Sequence, residues 1–410
     1  MKDKMVKVKG LGTILAVGLI ALLLLTACAP GAARPPGEKV VEIGMLVSLT
    51  GATAEIEQGA FYAMEDGLRW WNEERGIPGV TLEHVWRDNA RETAKILSTY
   101  QSFVGRGVPA FINYTPLAQL FKARIEKDQV PMLSEVISGE IMHDPGWVYC
   151  DYPTEAERFA VMADWIMENW QEGRPPKIAF LGPDVEYFQE PLGECKLYAE
   201  GIGMEWLPPE FVPYVPMDST VQLLRLGASG ADFVFIGPVW TTALPVLKDA
   251  VRMGLMDKVS FCLWDACLVD DLVVWLGPDS EGLFGPHARA VADDVDNPGV
   301  QWALGVWERY HGTEPLDPIF IFGVSHSPII PDAIKMAIEK VGYENLDGLA
   351  VKEALDTFKD YDPYGYGTPL DYTDPENHRG SSWVRIYQIQ GGKQLGVSDW
   401  REAPVLWQGD

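Results

Sequence analysis

The stretch that decides the fold is an apolar run near the start of the chain, Val41-Glu42-Ile43-Gly44-Met45-Leu46-Val47. A strand covered by helices on both faces has such a near-continuous apolar composition, whereas a half-exposed strand alternates apolar and polar residues. Residues 58–72 then carry an apolar face at helical spacing, and the turn Gly76-Ile77-Pro78-Gly79 ends that helix. We therefore interpret the run as the first strand of a parallel sheet in an α/β domain.

Strand and helix patterns alternate over most of the chain. In the first half, further strands are predicted at 81–86, 108–113 and 130–133, and helices at 93–105 and 117–128. After the break Arg174-Pro175-Pro176, strands are predicted at 177–181, 205–207, 232–236 and 258–263, and helices at 191–201, 220–226 and 242–254. Helices at 300–310, 332–341 and 348–358 and a hairpin around Gly391-Gly392 follow. Because such alternation produces parallel sheets with right-handed crossovers, we expect two doubly wound lobes.

Length and charge narrow the classes of function. The chain has 410 residues, which exceeds one ordinary hydrophobic core and favours two domains. Its formal net charge is −26, and without residues 1–27 the balance becomes 29 basic against 58 acidic residues, or −29. A negatively charged surface repels nucleic-acid phosphates and anionic lipid headgroups, so we expect neither as a partner.

The front end of the chain has the pattern of an export signal. Lysines at 2, 4, 7 and 9 precede the uncharged run 11–27, which ends in Leu25-Thr26-Ala27-Cys28. These residues resemble a bacterial lipoprotein signal, which implies a signal peptide at 1–27, an acylated Cys28 and a flexible tether at 28–39. An uncleaved anchor is the alternative, because about 17 uncharged residues approach the length that spans a bilayer. In both cases we expect an exported chain held at the outer side of the cytoplasmic membrane.

The remaining cysteines and histidines do not form a metal-binding pattern. Cys150, Cys195, Cys262 and Cys267 contain no CxxC pair, and the histidines are not spaced with them as zinc ligands are. A local bridge between Cys262 and Cys267 and buried free thiols are both open. The acidic run at 293–297 lacks the spacing of a calcium loop and is interpreted as a solvated turn. We therefore expect no metal and no cofactor.

Several segments, in their order along residues 40–400, resemble one family: the type I periplasmic solute-binding proteins of ABC importers, in the leucine/isoleucine/valine-binding branch. The segments that carry the resemblance are 43–51, 58–60, 72–80, 87–89, 130–134, 230–235 and 253–255. The resemblance implies the type I periplasmic binding protein fold, in which two Rossmann-like lobes are joined by a three-crossing hinge. Such proteins hold a ligand in the cleft between the lobes, and hinge closure buries it.

Lobe boundaries are implied by the same resemblance. The chain is expected to cross between lobes near Tyr152, Gly285 and Ser381. Lobe 1 then comprises residues 40–152 and 285–381, and lobe 2 comprises residues 153–284 and 382–410.

Two loops after strands of lobe 1 match ligand-binding positions of the family. Thr115 matches a residue that binds the ligand carboxylate, and Tyr114 lies at the same rim. The alternative for Thr115 is an ordinary helix N-cap before a proline. The Ser138 hydroxyl and the Ile137 carbonyl match a second loop that holds carboxylate and ammonium, although a solvated turn also explains these residues.

The ligand contacts implied for lobe 2 are mostly aromatic. Asp265 matches the acid that pairs with the ligand α-ammonium, and its alternative is an N-cap for a helix at 266–275. Trp240 matches an aromatic residue that packs on the ligand side chain, and Ile56 matches an aromatic lid position of lobe 1. Tyr187 matches the tyrosine of an Asp-x-x-Tyr-Gly loop of the family, although Phe188 replaces the glycine. The alternative for these aromatic residues is the hydrophobic core. With Trp264 at the same edge, the pocket is expected to suit a branched-chain, aromatic or amide side chain.

The leading hypothesis is an extracytoplasmic lipoprotein that captures an amino-acid-like ligand and delivers it to the permease subunits of an ABC transporter. The alternative is a lipoprotein of the same fold that senses a ligand and signals to a partner, because fold does not separate transport from sensing. A hydrolase is disfavoured, since the sequence contains no Gly-x-Ser-x-Gly, His-Glu-x-x-His or phosphate-binding loop motif. We therefore expect a binding protein and not an enzyme.

Overall fold

The computed structural model describes residues 37, 39–51, 54–115, 118–135, 139–142 and 144–406. The signal at 1–27, Cys28 and most of the tether lie outside these residues, so the lipoprotein interpretation stays a prediction. Within the part of the chain that the structure describes, no helix combines the length and the apolarity that crossing a bilayer requires.

The apolar run at 41–47 forms a central, buried strand of a parallel sheet, as its composition predicts. The strands, in the spatial order β2-β1-β3-β4-β5, are β1 (Lys39–Val47), β2 (Val80–Asp88), β3 (Phe111–Asn113), β4 (Met132–Ser134) and β5 (Val148–Tyr149). The intervening helices are α1 (Ala54–Glu74), α2 (Thr93–Val104), α3 (Ala118–Asp128) and α4 (Gly139–Met142). All four strand pairs of this first sheet are parallel. The sheet therefore directs the carboxyl ends of its strands to one edge.

A second sheet has the order β13-β12-β11-β10-β9-β6-β7, and β8 and β14 pair at its margins. Its strands are β6 (Lys177–Gly182), β7 (Glu205–Trp206), β8 (Glu210–Phe211), β9 (Phe233–Ile236), β10 (Ser260–Leu263), β11 (Phe284–His287), β12 (Trp383–Gln390), β13 (Lys393–Gly396) and β14 (Arg401–Glu402). Its helices are α5 (Glu155–Asn169), α6 (Glu186–Gly201), α7 (Thr220–Ser229), α8 (Trp240–Arg252) and α9 (Asp271–Leu276). The predicted hairpin is confirmed, because β12 and β13 pair in antiparallel fashion around Gly391-Gly392.

The chain returns to the first sheet between β11 and β12. This segment contains α10 (Pro298–His311), α11 (Phe320–His326), α12 (Ile329–Val341) and α13 (Gly348–Leu355). It packs on α1, where the Trp71 indole N–H donates to Asp332 over 2.7 Å. Gly67 permits a close approach, because a Cβ at this position would lie 2.1 Å from Ser327 Oγ. Two doubly wound lobes with three chain crossings result, which confirms the predicted fold class.

The crossings define how the lobes are linked. The chain passes from the first sheet to the second after β5 and returns to the first after β11. It passes to the second sheet again before β12. The predicted crossing near Gly285 falls inside β11, which continues to His287 because it pairs with both β10 and β12. The exact lobe boundaries otherwise stay a prediction.

Helix α5 is the main element that the sequence patterns did not predict. Its buried residues lie on nearly all sides and include Glu157 and Arg158, so no single apolar face stands out. A capping box at its start is the signal that could have found it: Thr154 accepts from the Glu157 backbone N–H, and the Glu157 carboxylate accepts from the Thr154 N–H. Helix α6 also begins five residues earlier than predicted and contains Pro191 in its interior.

The cysteine alternatives are resolved by packing. Cys150, Cys195, Cys262 and Cys267 are all free and buried. The local bridge between Cys262 and Cys267 therefore does not form, and burial raises the pKa of each thiol.

A buried histidine beside the third crossing supplies a prediction about pH. The His378 ring stacks on Tyr149 at 4.3 Å, and its Nδ1 lies 3.1 Å from the Val148 carbonyl oxygen. Burial, and to a smaller extent Lys352, lower the pKa of His378 to about 4 although Asp356 opposes them. The unfolded chain binds this proton near pH 6.5 and the folded chain only near pH 4, so protonation favours unfolding between these values.

We expect His378→Phe, which keeps a flat ring against Tyr149, to reduce the loss of stability on acidification. Between pH 6.5 and 4, the free energy of unfolding of the unmodified chain should fall by up to about 3 kcal/mol more than that of the variant. Urea denaturation at several pH values in this window measures the difference. Parallel pH profiles for the two proteins would contradict the assignment.

Candidate functional site

A cavity of about 190 Å³ lies between the two lobes. Its wall includes residues that directly follow strands of both sheets: Tyr114 after β3, Glu135 after β4 and Trp264 after β10. Open parallel sheets bind ligands at the carboxyl ends of their strands, where helix and loop backbones leave room. The cavity is therefore the candidate functional site, and its size suits a small molecule.

Its apolar wall comes from both lobes. Ile56 and Ala60 of α1 and Ile319, Ile321 and Phe322 around the start of α11 contribute from the first lobe. The second lobe contributes Trp264, Leu268 and Val269. Such a surface favours a ligand with an apolar body.

A loop of the first lobe reaches the second lobe at Arg91. The loop is shaped by Asp88, whose carboxylate accepts from the backbone N–H groups of Leu49 and Ala90 at 2.9 Å. Arg91 has a positive φ of 56°, and its guanidinium pairs with Glu57 at 3.0 Å. The same guanidinium lies 6.0 Å from the Tyr214 ring of the second lobe. Residues of opposite lobes are thus close together at this margin of the cavity.

Four buried charged residues of the first lobe, Glu135, Asp151, Arg289 and His326, form what we call the charge quartet. His326 Nδ1 lies 2.6 Å from Asp151 Oδ2 and 2.8 Å from Glu135 Oε1. The Arg289 guanidinium pairs with Asp151 and lies 3.0 Å from His326 Nδ1. Glu135 and Arg289 also line the cavity. The quartet therefore places the charged groups of Glu135 and Arg289 at the cavity wall, each in contact with a group of opposite charge.

Burial and mutual attraction shift the protonation of the quartet. Burial opposes ionisation of Asp151, but Arg289 and His326 outweigh it and hold its pKa well below the usual range. Burial and Arg289 disfavour charge on His326, yet Asp151 and Glu135 more than offset them, so its pKa is raised. Burial raises the pKa of Glu135 despite the attraction of His326. Glu135 is thus the acid of the quartet whose ionised form is least stabilised.

Three members of the quartet have the spacing of metal ligands. Donor atoms of Glu135, Asp151 and His326 lie within 4.8 Å of one another. However, Arg289 contacts both Asp151 and His326, so a fixed positive charge already lies where a divalent cation would need to bind. The residues therefore fit an ion-pair network better than a metal centre.

In the second lobe, Arg158 of α5 holds two carboxylates. It pairs with Asp265 and with Glu155, the latter at 3.0 Å. The Asp265 carboxylate also accepts from the Ala266 backbone N–H at 2.7 Å. The ring of Tyr152, at the first crossing, lies 4.9 Å from the Arg158 guanidinium and 4.9 Å from that of Arg289. One arginine from each lobe thus meets at a single aromatic ring beside the hinge.

Two oxygens at the cavity wall lack partners. Tyr114 Oη and Glu135 Oε2 are buried, and neither has a hydrogen-bond partner among the residues that the structure describes. Burial, followed by the charge of Glu135, raises the pKa of Tyr114. A ligand with a matching polar group would satisfy both oxygens.

The structure brings some of the predicted site residues together. Tyr114, Ile56 and Asp265 line the cavity. Thr115 is buried next to Tyr114, and its hydroxyl donates to Asn113 at 2.7 Å. Their ligand roles stay predictions.

Other predicted residues lie elsewhere or outside the described part. Trp240 begins α8 and packs on Trp275 at 4.7 Å, and it is not among the residues that line the cavity in the described part of the chain. Tyr187 lies in the first turn of α6, and its side chain is not described. Ile137 and Ser138 lie outside the described residues.

Sequence patterns did not single out Arg158, Arg289, Tyr152 or His326 as site residues. Arg158 lies on a helix whose existence was missed, and Arg289 follows β11, which was also missed. For the quartet, the available signal was Glu135, an acid two residues after the predicted strand at 130–133.

Comparisons with known proteins concern the fold and the family of the chain. A family model described as a periplasmic binding protein matches residues 40–394. A curated relative, Leu/Ile/Val-binding protein homolog 2 of Brucella abortus, is 23% identical over 274 residues, which cover 62% of this chain and 70% of that protein.

Solved structures show the same fold at low sequence identity. A branched-chain amino acid ABC transporter protein from Thermus thermophilus with bound valine has a TM-score of 0.80 and 21% identity, covering 90% of this chain and 98% of its own. A fatty acid ABC transporter substrate-binding protein from Thermomonospora curvata has a TM-score of 0.77 and 20% identity, covering 92% and 97%. These two neighbours thus share one fold, although one has bound valine and the other is described as a fatty acid transporter protein.

Proposed function

Because the chain belongs to the periplasmic binding protein family, whose model spans residues 40–394, we propose that it captures a small amino-acid-like molecule between its lobes and delivers it to an ABC permease. The family consists of solute-binding proteins, which work outside the cytoplasm and catalyse no reaction. The anchoring of this chain through an acylated Cys28 is part of the proposal.

The cavity between the lobes carries the proposal. Its wall is built from strand ends of both sheets, so a bound molecule contacts both lobes only when they are close together. Ligand binding then stabilises the closed arrangement by population shift, and the energy comes from contacts that the open arrangement lacks. Closure of this kind requires no chemistry on the ligand.

Polar groups at the cavity suggest how an amino acid would bind. We assign the ligand α-ammonium to Asp265, whose carboxylate lines the cavity and is 11% exposed. Its pairing with Arg158 places a guanidinium beside it, which is a suitable partner for the ligand carboxylate. Thr115 is proposed as a second carboxylate contact after release from Asn113.

The proposal is tested first with a panel of the standard amino acids and their amides. A ligand that binds the folded chain raises its melting temperature by mass action, and calorimetry then measures the affinity. If no compound in the panel raises the melting temperature, the proposed ligand class is wrong. Uptake of the strongest binder by cells with and without the protein separates delivery to a permease from the alternative, ligand sensing.

We expect Asp265→Asn to weaken binding of the strongest amino acid by about 10- to 100-fold, because a charge-assisted hydrogen bond is lost. Asp279→Asn is the matched control, since Asp279 is an exposed acid of the same lobe. Calorimetry on both variants gives the comparison. Equal affinity in the two variants would remove Asp265 from the ligand contacts.

A further inference from the structure

We infer that Glu135 and Tyr114 form a subsite that binds a positively charged nitrogen group of the ligand. The inference rests on the proposed function and deepens it, because it concerns what kind of molecule the cavity accepts. Neither residue is the acid to which the ammonium was assigned above.

The two residues are neighbours because of the strand register. Asn113 at the end of β3 pairs with Ser134 at the end of β4, and the Glu135 N–H donates to the Asn113 carbonyl at 2.9 Å. Tyr114 and Glu135 are therefore the first residues beyond two adjacent strand ends. Both side chains line the cavity, with exposed fractions of 5% and 2%.

Glu135 Oε1 has an ion-pair contact, whereas Oε2 has none among the described residues. Oε1 lies 2.8 Å from His326 Nδ1, and His326 is held in turn by Asp151 and Arg289. Oε2 of Glu135 and Oη of Tyr114 have no hydrogen-bond partner in the described part of the chain. The carboxylate is thus fixed in place from behind while two oxygens stay unsatisfied, and a donor group on the ligand can satisfy both.

The charges along the cavity wall indicate whether the donor group of the ligand is positively charged or neutral. Carboxylates outnumber guanidiniums among the described residues of the wall. The three arginines there are already paired: Arg91 with Glu57, Arg158 with Asp265, and Arg289 with Asp151.

Three acids of the wall make no direct ion pair with an arginine or lysine of the described residues: Glu135, Asp270 and Asp317. Burial and then Asp293 raise the pKa of Asp270 to about 6, and burial raises the pKa of Asp317. Both shifts disfavour the ionised carboxylates, and a positive group placed beside them would stabilise the ionised form. A cationic nitrogen is such a group, and it donates hydrogen bonds as well.

The contrary possibility is that Glu135 is protonated and donates to a ligand carboxylate. The two cases differ in their dependence on pH. A cation needs ionised Glu135, so its affinity rises with pH, whereas an anion that needs protonated Glu135 binds more weakly as pH rises. The other groups that face Glu135 are Tyr114, Asp151, His326 and Arg289.

Two series of probes test the inference, and within each series the same hydrocarbon group carries an amine, an amide or a carboxylate. One contains 3-methylbutylamine, 4-methylpentanamide and 4-methylpentanoate, and the other contains phenethylamine, 3-phenylpropanamide and 3-phenylpropanoate. We expect the amine of at least one series to bind at least tenfold tighter than its amide and its carboxylate. We also expect its affinity to increase between pH 5 and 8.

Two variants, each with a matched control variant, locate the effect. Glu135→Gln should remove the preference for amine over amide, whereas the surface variant Glu344→Gln should keep it. Tyr114→Phe removes a hydroxyl without a described partner, so it should leave the melting temperature of the free protein unchanged and weaken amine binding about threefold or more. Tyr198→Phe, which removes a hydroxyl bonded to Asp164 outside the cavity, should leave amine binding unchanged.

The outcomes separate this inference from the proposed function. If amino acids bind but the carboxylate probe binds tightest, or no probe binds, the subsite is not a cation site and solute binding stands. A ratio of amine to amide affinity that Glu135→Gln leaves unchanged also overturns the inference. If neither the amino-acid panel nor the probes bind, the proposed function fails. Tyr114→Phe and the pH dependence decide the matter if Glu135→Gln does not fold.

Discussion

Replacing Arg289 with methionine is expected to lower the free energy of unfolding of the first lobe by about 3–5 kcal/mol. Arg289 is buried, pairs with Asp151 and lies 3.0 Å from His326. Methionine fills a similar volume but leaves the carboxylates of Asp151 and Glu135 with only one imidazole as counter-charge. A buried charge that loses its partner costs far more than the pair itself contributes, so the loss should be large.

Urea denaturation followed by circular dichroism measures this loss, and hydrogen exchange locates it in the first lobe. Arg309→Met is the control, because Arg309 forms ion pairs on the surface with Glu73 and Glu74, and we expect little change there. Adding Asp151→Asn to Arg289→Met should recover part of the stability, since the unpaired carboxylate is then removed. A loss no larger than that of the control would show that the quartet does not depend on Arg289.

Arg158→Met is expected to destabilise the second lobe by a similar amount, about 3–5 kcal/mol. Without the guanidinium, the carboxylates of Glu155 and Asp265 remain close together at the cavity wall, with no arginine between them. The contact of Arg158 with the Tyr152 ring at 4.9 Å is lost as well. The lost ion pair with Asp265 acts on the loop after β10, so hydrogen exchange should increase first around residues 264–270.

A double-mutant cycle with Asp265→Asn tests whether the destabilisation comes from the ion pair. The coupling energy between the two substitutions should be about 1–3 kcal/mol, because the residues are in direct contact. Arg174→Met is the matched control, since Arg174 pairs with Asp232 on the surface of the same lobe and should matter little. Additive effects of Arg158→Met and Asp265→Asn would argue that packing, and not charge, explains the loss.

The fold was predictable to a large extent because its signals are local. The run at 41–47 became β1, and the predicted strand at 232–236 became β9 (Phe233–Ile236). Helix α5 and strand β11 were missed for a common reason: their burial comes from contacts with the rest of the second lobe and not from a pattern within the segment. Segments of this kind show no clear periodicity for a sequence pattern to detect.

The candidate site was predictable only where residues directly follow strands. Tyr114 and Asp265 follow β3 and β10 and line the cavity, as their position in a parallel sheet suggests. Trp240 also follows a strand, but it packs against Trp275 instead. Position after a strand therefore indicates proximity to the site, and it does not determine which way a side chain turns.

Local composition alone determined the alternation of strands and helices, the acidic surface and the edge of each sheet at which a ligand can bind. Only the tertiary structure decided which carboxylate each arginine neutralises, because the partners are far apart in the chain. Arg158 and Asp265 are separated by 107 residues, and Arg289 and Asp151 by 138. Such pairs form only after the lobes have packed, and their pairing leaves Glu135 as a wall acid without an arginine. Packing over long sequence distances thus set the electrostatic character of the cavity.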